Sequence, residues 1–238
     1  MQLAYPHIYD NALRVQEQVK EYCLKANRPE DAARLMAVSK TRTVEEIYPA
    51  VAAGLRLFGE NRVQELSAKA EFFKENGADC HLIGQLQTNK VKYLPELTDV
   101  IESVDSLRLA QEISRRYEKA GRTARIFLEV NIGAEESKSG VAPEAAAELL
   151  AAARLLPAVR VEGMMCVPPI CEGDLVRRYF AQMRRLFDDL NAALPEDQRM
   201  STLSMGMSGD YPYAILEGST LVRVGQGIFG ARDYTNKK

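Results

Sequence analysis

An alternation repeated eight times constrains this chain more than any other feature. Short apolar runs, Leu35–Ser39, Leu55–Phe58, Cys80–Ile83, Val100–Glu102, Ile126–Val130, Val161–Cys166, Thr202–Met205 and Leu221–Val224, read as strands. Between them lie stretches with helical spacing: Thr43–Ala53, Arg62–Glu75, Asn89–Leu94, Ser106–Lys119, Pro143–Leu155, Gly173–Ala193 and Tyr211–Glu217. Alternating βα units imply a parallel sheet with right-handed crossovers. Eight units in 238 residues favour a closed (β/α)8 TIM barrel over an open doubly wound sheet, because such barrels run to about 250 residues. An extra N-terminal helix precedes the first strand. Over Pro6–Asn27, the residues Ile8, Ala12, Val15, Val19, Tyr22 and Ala26 recur at three- and four-residue spacing, and Pro6 suits a first helical turn. The expectation is one α/β domain over residues 1–238.

Composition narrows the function classes. Charged residues are 27% and the net charge is −2, with no basic block or arm, so nucleic-acid binding has no support. Four Cys without a CxxC pair, and only two His, make a zinc site hard to assemble. Cys23, Cys80, Cys166 and Cys171 read as free thiols of a reducing compartment. The start "MQLAYPHIYD" has neither a basic n-region nor an apolar h-region, and no apolar run is long enough to span a bilayer. A cytoplasmic protein without membrane contact is expected.

In a barrel, functional residues gather at the C-terminal ends of the strands. Here those ends carry Ser39-Lys40, Gly59-Glu60-Asn61, Gly84 to Gln87, Ser103, Asn131, Val167 to Pro169, Gly206 to Gly209 and Gly225 to Gly227. Ser208 and Gly209 stand just before a helix, and glycines at 225, 227 and 230 follow the eighth strand. Barrel phosphate sites are commonly built from the loops after strands seven and eight, where backbone N–H groups take an anion. The first βα turn, "AVSKTRTVEE", has no glycine fingerprint, which speaks against a dinucleotide site. Lys40 would project into the same mouth. A strand-end Lys is more often a salt-bridge partner or a snorkelling side chain. Beside a phosphate cradle it fits a Schiff-base lysine, either for pyridoxal 5′-phosphate (PLP) or for a sugar-phosphate aldolase. Period two places Leu221, Arg223 and Gly225 on one face of the last strand. Arg223 would then point either to a pyridine nitrogen or into a core ion pair with Glu129 or Glu162.

The segments "AVSKT", "FGENRVQE", "HLIGQLQTNK", "VNIGAEESKSG", "GMMCVPP" and "MGMSGDYPYAILEGSTLVRVGQGIFGAR" together resemble the pyridoxal phosphate homeostasis proteins, which look like the barrel domain of alanine racemase standing alone. The resemblance runs from Leu35 to Arg232. It implies PLP held on Lys40 as an internal aldimine, and phosphate contacts from Ser208, Gly209, Gly225 and the backbone of Gln226. It further implies Arg223 opposite the pyridine nitrogen and Asn61 beside the ring. Two positions depart from the family pattern: Cys80 stands where an aromatic residue is frequent, and Gln226 where Ser or Thr is frequent. The implied role is intracellular PLP (vitamin B6) and amino-acid homeostasis without robust catalysis. The alternative is a low-activity PLP-dependent amino-acid racemase or lyase. Two-base racemisation needs a second acid/base across the cofactor from Lys40, which alanine racemase supplies from a second domain of the partner subunit. The implied partners are PLP and apo PLP-dependent enzymes, and the lack of the racemase dimer domain leans towards a monomer.

Overall fold

The structure, a computed structural model, describes residues 4–135 and 137–231. Glu136 and Arg232, both within the family-like segments, lie outside the described residues. Eight parallel strands close a barrel in sequence order: β1 (Arg34–Val38), β2 (Leu57–Glu60), β3 (Asp79–Leu82), β4 (Val100–Val104), β5 (Ala124–Val130), β6 (Val159–Cys166), β7 (Thr202–Ser204) and β8 (Leu221–Val224). The seam is β1 on β8, registered Met36 to Arg223 and Ala37 to Val224. The helices are α1 (Pro6–Lys25), α2 (Val44–Ala52), α3 (Val63–Glu75), α4 (Leu107–Lys119), α5 (Ala146–Ala153), α6 (Gly173–Ala192), α7 (Tyr211–Leu216) and α8 (Gln226–Phe229).

Side chains sort by period two. Met36, Val100, Phe127, Met165 and Leu221 form a small apolar cluster inside the barrel. Their strand neighbours Ala37, Ile101, Ile126, Leu128 and Val222 belong to the larger cluster between sheet and helices. Burying each large side chain of that layer contributes about 1.5–3 kcal/mol. Phe58 of β2 stacks on Phe73 of α3 with ring centroids 5.1 Å apart, which docks α3 behind β2.

The extra helix packs where the barrel closes. Ile8, Ala12, Val15, Val19 and Cys23 are its buried stripe. Its polar edge is pinned by Asn11 Nδ2 to the Ile228 carbonyl (3.2 Å), while Tyr211 Oη donates to Gln18 Oε1 (2.8 Å). α1 therefore braces α7 and α8, the two helices that begin at the glycine-rich loops.

Three expectations are adjusted. The second strand begins two residues later than its apolar run, so Gly59 and Glu60 are strand residues. The segment after β3 is a 3-10 helix over Thr88–Glu96 containing Pro95, which has no N–H for an α-helical bond. The glycine loop after β8 turns directly into α8 at Gln226. The capping box expected at Thr43 is present, with Glu46 N donating to Thr43 Oγ1 (3.4 Å) and Thr43 N to Glu46 Oε2 (2.9 Å). Among the described residues no helix is long and apolar enough to cross a membrane.

Candidate functional site

Because all eight strands run parallel, every strand end named in the sequence opens at one mouth. Lys40 follows β1 by two residues. Alternation from Met36 inside, through Val38, carries Lys40 to the interior side, where it is half-buried. The turn that presents it closes by Arg42 N donating to the Ser39 carbonyl at 3.1 Å. Its third residue, Thr41, has φ 67°. A β-branched residue in the left-handed region is a genuine outlier and costs on the order of 1–3 kcal/mol. The surroundings hold it there. Thr41 N donates to Glu65 Oε2 (2.5 Å), and Lys69 Nζ donates to the Ser39 carbonyl (2.9 Å). Ser39 Oγ (2.6 Å) and Lys69 Nζ (2.7 Å) also donate to Glu60 Oε1.

Glu60 is fully buried, and its second oxygen has no hydrogen-bond partner among the described residues. Burial pushes its carboxyl up, against the pull of the Lys69 and Ser39 hydrogen bonds. The Lys40 turn therefore stands on a buried cluster of charges contributed by β2 and α3.

Across the mouth, Ser208 Oγ accepts from two backbone groups, Gly225 N (3.1 Å) and Gly227 N (3.2 Å). Amide N–H groups converging on one oxygen form the concave donor site that takes an anion. The space is tight: a Cβ on Gly225 would sit 3.3 Å from the Val38 carbonyl oxygen, and one on Gly227 2.8 Å from Val224 Cγ1, where something would have to shift. Gly209 is exposed, with open space where its Cβ would be. Gln226 is exposed and opens α8, its carbonyl accepting from Gly230 N at 3.0 Å. Asp210 steadies the β7 loop by accepting from Met207 N (2.5 Å), and burial pushes its carboxyl up. Asn61, beyond β2, keeps a buried Oδ1 with no partner among the described residues.

Arg223 is 4% exposed. Its Nη1 donates to Ser204 Oγ (2.6 Å) and its Nη2 to the Cys166 carbonyl (2.8 Å), at the ends of β7 and β6. The alternative of a core ion pair takes a different form. Glu162 lies with Arg125 (3.7 Å) and Arg160 (3.4 Å). Glu129 accepts from Ser139 Oγ (2.8 Å), and burial pushes its carboxyl up.

The structure brings together Lys40, Asn61, Ser208, Gly209, Arg223, Gly225 and Gln226 at one barrel end. Sequence reasoning missed the polar residues beneath them. Ser204 Oγ donates to Glu102 Oε2 (2.6 Å), and Glu102 Oε1 lies 2.6 Å from His81 Nδ1. The signal was available: His81 and Glu102 are buried polar residues within strands β3 and β4. A separate cavity of about 1110 Å³ opens at the opposite barrel end. Asp99 and Arg122 in its wall pair at 2.7 Å.

Comparison with known proteins places these features in context. The family described as alanine racemase, N-terminal domain, matches residues 13–233. The pyridoxal phosphate homeostasis protein of Aquifex aeolicus (strain VF5) is 44% identical over 226 residues, 93% of this chain and 96% of that protein. A crystal structure of an unknown protein from Bifidobacterium adolescentis superposes with a TM-score of 0.90 at 39% identity, covering 96% of this chain and 97% of that one. PipY of Synechococcus elongatus PCC7942, solved with PLP bound, superposes with a TM-score of 0.78 at 36% identity, covering 89% of this chain and all of that one (100%).

Proposed function

The chain belongs to the pyridoxal phosphate homeostasis protein family, and on that premise we propose that it binds PLP at this mouth and acts in PLP and amino-acid homeostasis as a carrier rather than a robust catalyst. The observation that carries the reading is the pair of N–H groups from Gly225 and Gly227, converging on Ser208 Oγ in the mouth that also receives Lys40. The residues fit the cofactor. Gly225, Gly227, Ser208, Gly209 and the Gln226 backbone offer donors to a phosphate dianion, aided by their place at the starts of α7 and α8. Lys40 Nζ is the amine for an aldehyde. Arg223 offers N–H groups to a ring nitrogen, and Asn61 Oδ1, without a partner among the described residues, is an acceptor beside the ring. PLP supplies an aldehyde that condenses with amines and a ring that can take up electron density.

The protein's own groups restrain the chemistry at this mouth. The phosphate donors are backbone amides that do not titrate. Arg223 stays protonated at all accessible pH values, so it donates to the ring nitrogen and disfavours a second positive charge there. That weakens the electron sink on which carbanion chemistry depends. The same reading has the chain working in the cytoplasm as a one-domain monomer that passes PLP to apo-enzymes.

Borohydride reduction after incubation with PLP tests it. The expected product is a single modified lysine, mapped by peptide mass to the segment 35–42. Modification at another lysine, or none, would sink the assignment. Incubation of the loaded protein with single-enantiomer alanine, serine or threonine, read by chiral chromatography, separates the carrier from a low-activity racemase or lyase. The carrier returns each amino acid unchanged.

A further inference from the structure

A buried guanidinium needs an anion close by, because desolvating the charge costs several kcal/mol without one. The charge of Arg223 pulls the Glu129 carboxyl down, but burial outweighs it and favours the neutral form of that carboxyl. The hydrogen bonds of Arg223 lead elsewhere. Arginine can only donate, so Ser204 Oγ accepts from Nη1 (2.6 Å). A serine hydroxyl has one proton, and that proton is directed to Glu102 Oε2 (2.6 Å). The other oxygen, Oε1, meets His81 Nδ1 at 2.6 Å. Glu102 is fully buried, with one oxygen accepting from Ser204 Oγ and the other within hydrogen-bond distance of His81 Nδ1. The direction of every proton in the chain from Arg223 through Ser204 to Glu102 is thus fixed, and it ends on an acceptor. Charge-assisted bonds of this kind are the short, strong ones.

We propose that Glu102 is a positioning residue for the ligand site: through Ser204 it supplies the counter-charge that holds and aims Arg223 at the ring nitrogen of the bound pyridine, with His81 fixing the carboxylate from the far side. Four strands, β3, β4, β7 and β8, contribute one side chain each, so the orientation of Arg223 is set by the barrel and not by its own rotamer preference. Glu102 does not touch the ligand. The inference rests on the reading that Arg223 faces a ring nitrogen, and the test separates the two.

Two ligands are compared: PLP, and its carbocyclic analogue in which C–H replaces the ring nitrogen while the aldehyde and phosphate remain. Wild-type protein should bind PLP more tightly than the analogue, since only PLP can accept from Arg223. Glu102→Gln keeps the shape and lets His81 change tautomer, so the fold should survive, as checked by thermal unfolding. It should raise the PLP dissociation constant by about tenfold, the equivalent of one hydrogen bond, and change that of the analogue by less than about twofold. Ser204→Thr keeps the hydroxyl and should stay near wild type, whereas Ser204→Ala should match Glu102→Gln or exceed it. Equal losses for both ligands would show that Glu102 serves the fold alone, and no loss for either would show that Arg223 holds its place without it. If wild-type protein binds the two ligands equally, Arg223 does not face the ring nitrogen, and the premise falls together with the inference.

Discussion

The two sides of the mouth are built by different physics. After β7 and β8 the donors are main-chain amides of Gly225 and Gly227, set by α7 and α8 and by the absence of side chains. After β1 the turn that carries Lys40 is strained at Thr41 and held by Lys69, Glu60 and Glu65. A backbone cradle tolerates changes of pH and of neighbouring side chains but not added volume. A turn held by buried charges tolerates little change in charge. Each side should therefore fail to a different class of substitution.

The largest effect is expected on the charged side. Lys69→Met leaves Glu60 buried without its cation and removes one of the two donors to the Ser39 carbonyl. Breaking a buried pair by removing one partner costs about 3–5 kcal/mol, to be read from denaturant unfolding. The double variant Lys69→Met with Glu60→Leu should recover much of that loss. A loss below about 1 kcal/mol for the single variant would mean that the cluster is not what holds the turn.

On the backbone side the expected effect is on affinity. Charge-assisted hydrogen bonds are worth about 1.5–3 kcal/mol each, so pyridoxal without its phosphate should bind at least about 100-fold more weakly than PLP. Titration of Lys40→Ala with both ligands isolates this contribution from covalent attachment. Equal affinities would remove the phosphate from the cradle. Smaller still is the steric limit. Gly227→Ala puts a methyl 2.8 Å from Val224 Cγ1, and overpacking of that kind costs about 1–3 kcal/mol. It should lower the unfolding midpoint and weaken PLP, while leaving borohydride trapping on Lys40 in place. A variant as stable as wild type would show that α8 can shift to make room.

The contrast also explains what was legible in the chain. The eight strands come from short apolar runs, and the cradle from glycine and serine at loop positions, because backbone sites advertise themselves through residues that permit them. The Lys40 turn was legible only as a Lys in an odd place. Its support comes from Glu60 on the outward face of β2 and Lys69 on α3, 29 positions further along the chain (69 minus 40). On a helix a single Lys reads as a solvated residue, and nothing in the spacing tells that it is buried. The same holds for Glu102, Ser204 and His81, which meet only because the barrel closes. Tertiary assembly, not local pattern, brings such groups together.

The smallest effect concerns pH, and it separates the two sides most cleanly because the cradle has no titrating donor. The Glu60 carboxyl is raised by burial, which outweighs the Lys69 and Ser39 hydrogen bonds. A raised value means that the folded state holds the proton more tightly than the unfolded chain. The contribution of Glu60 to stability is then greatest below the unfolded value of about 4.3 and declines as pH rises through the folded value. Glu60→Gln cannot titrate and lacks this decline. Unfolding free energies of both proteins across that range should show the wild-type advantage over Glu60→Gln shrinking as pH rises. An advantage that grows with pH would mean that the Lys69 ammonium overcomes the burial, so that Glu60 is ionised more easily folded than unfolded. The Lys40 turn would then rest on a true ion pair, and its contrast with the uncharged cradle would be sharper still.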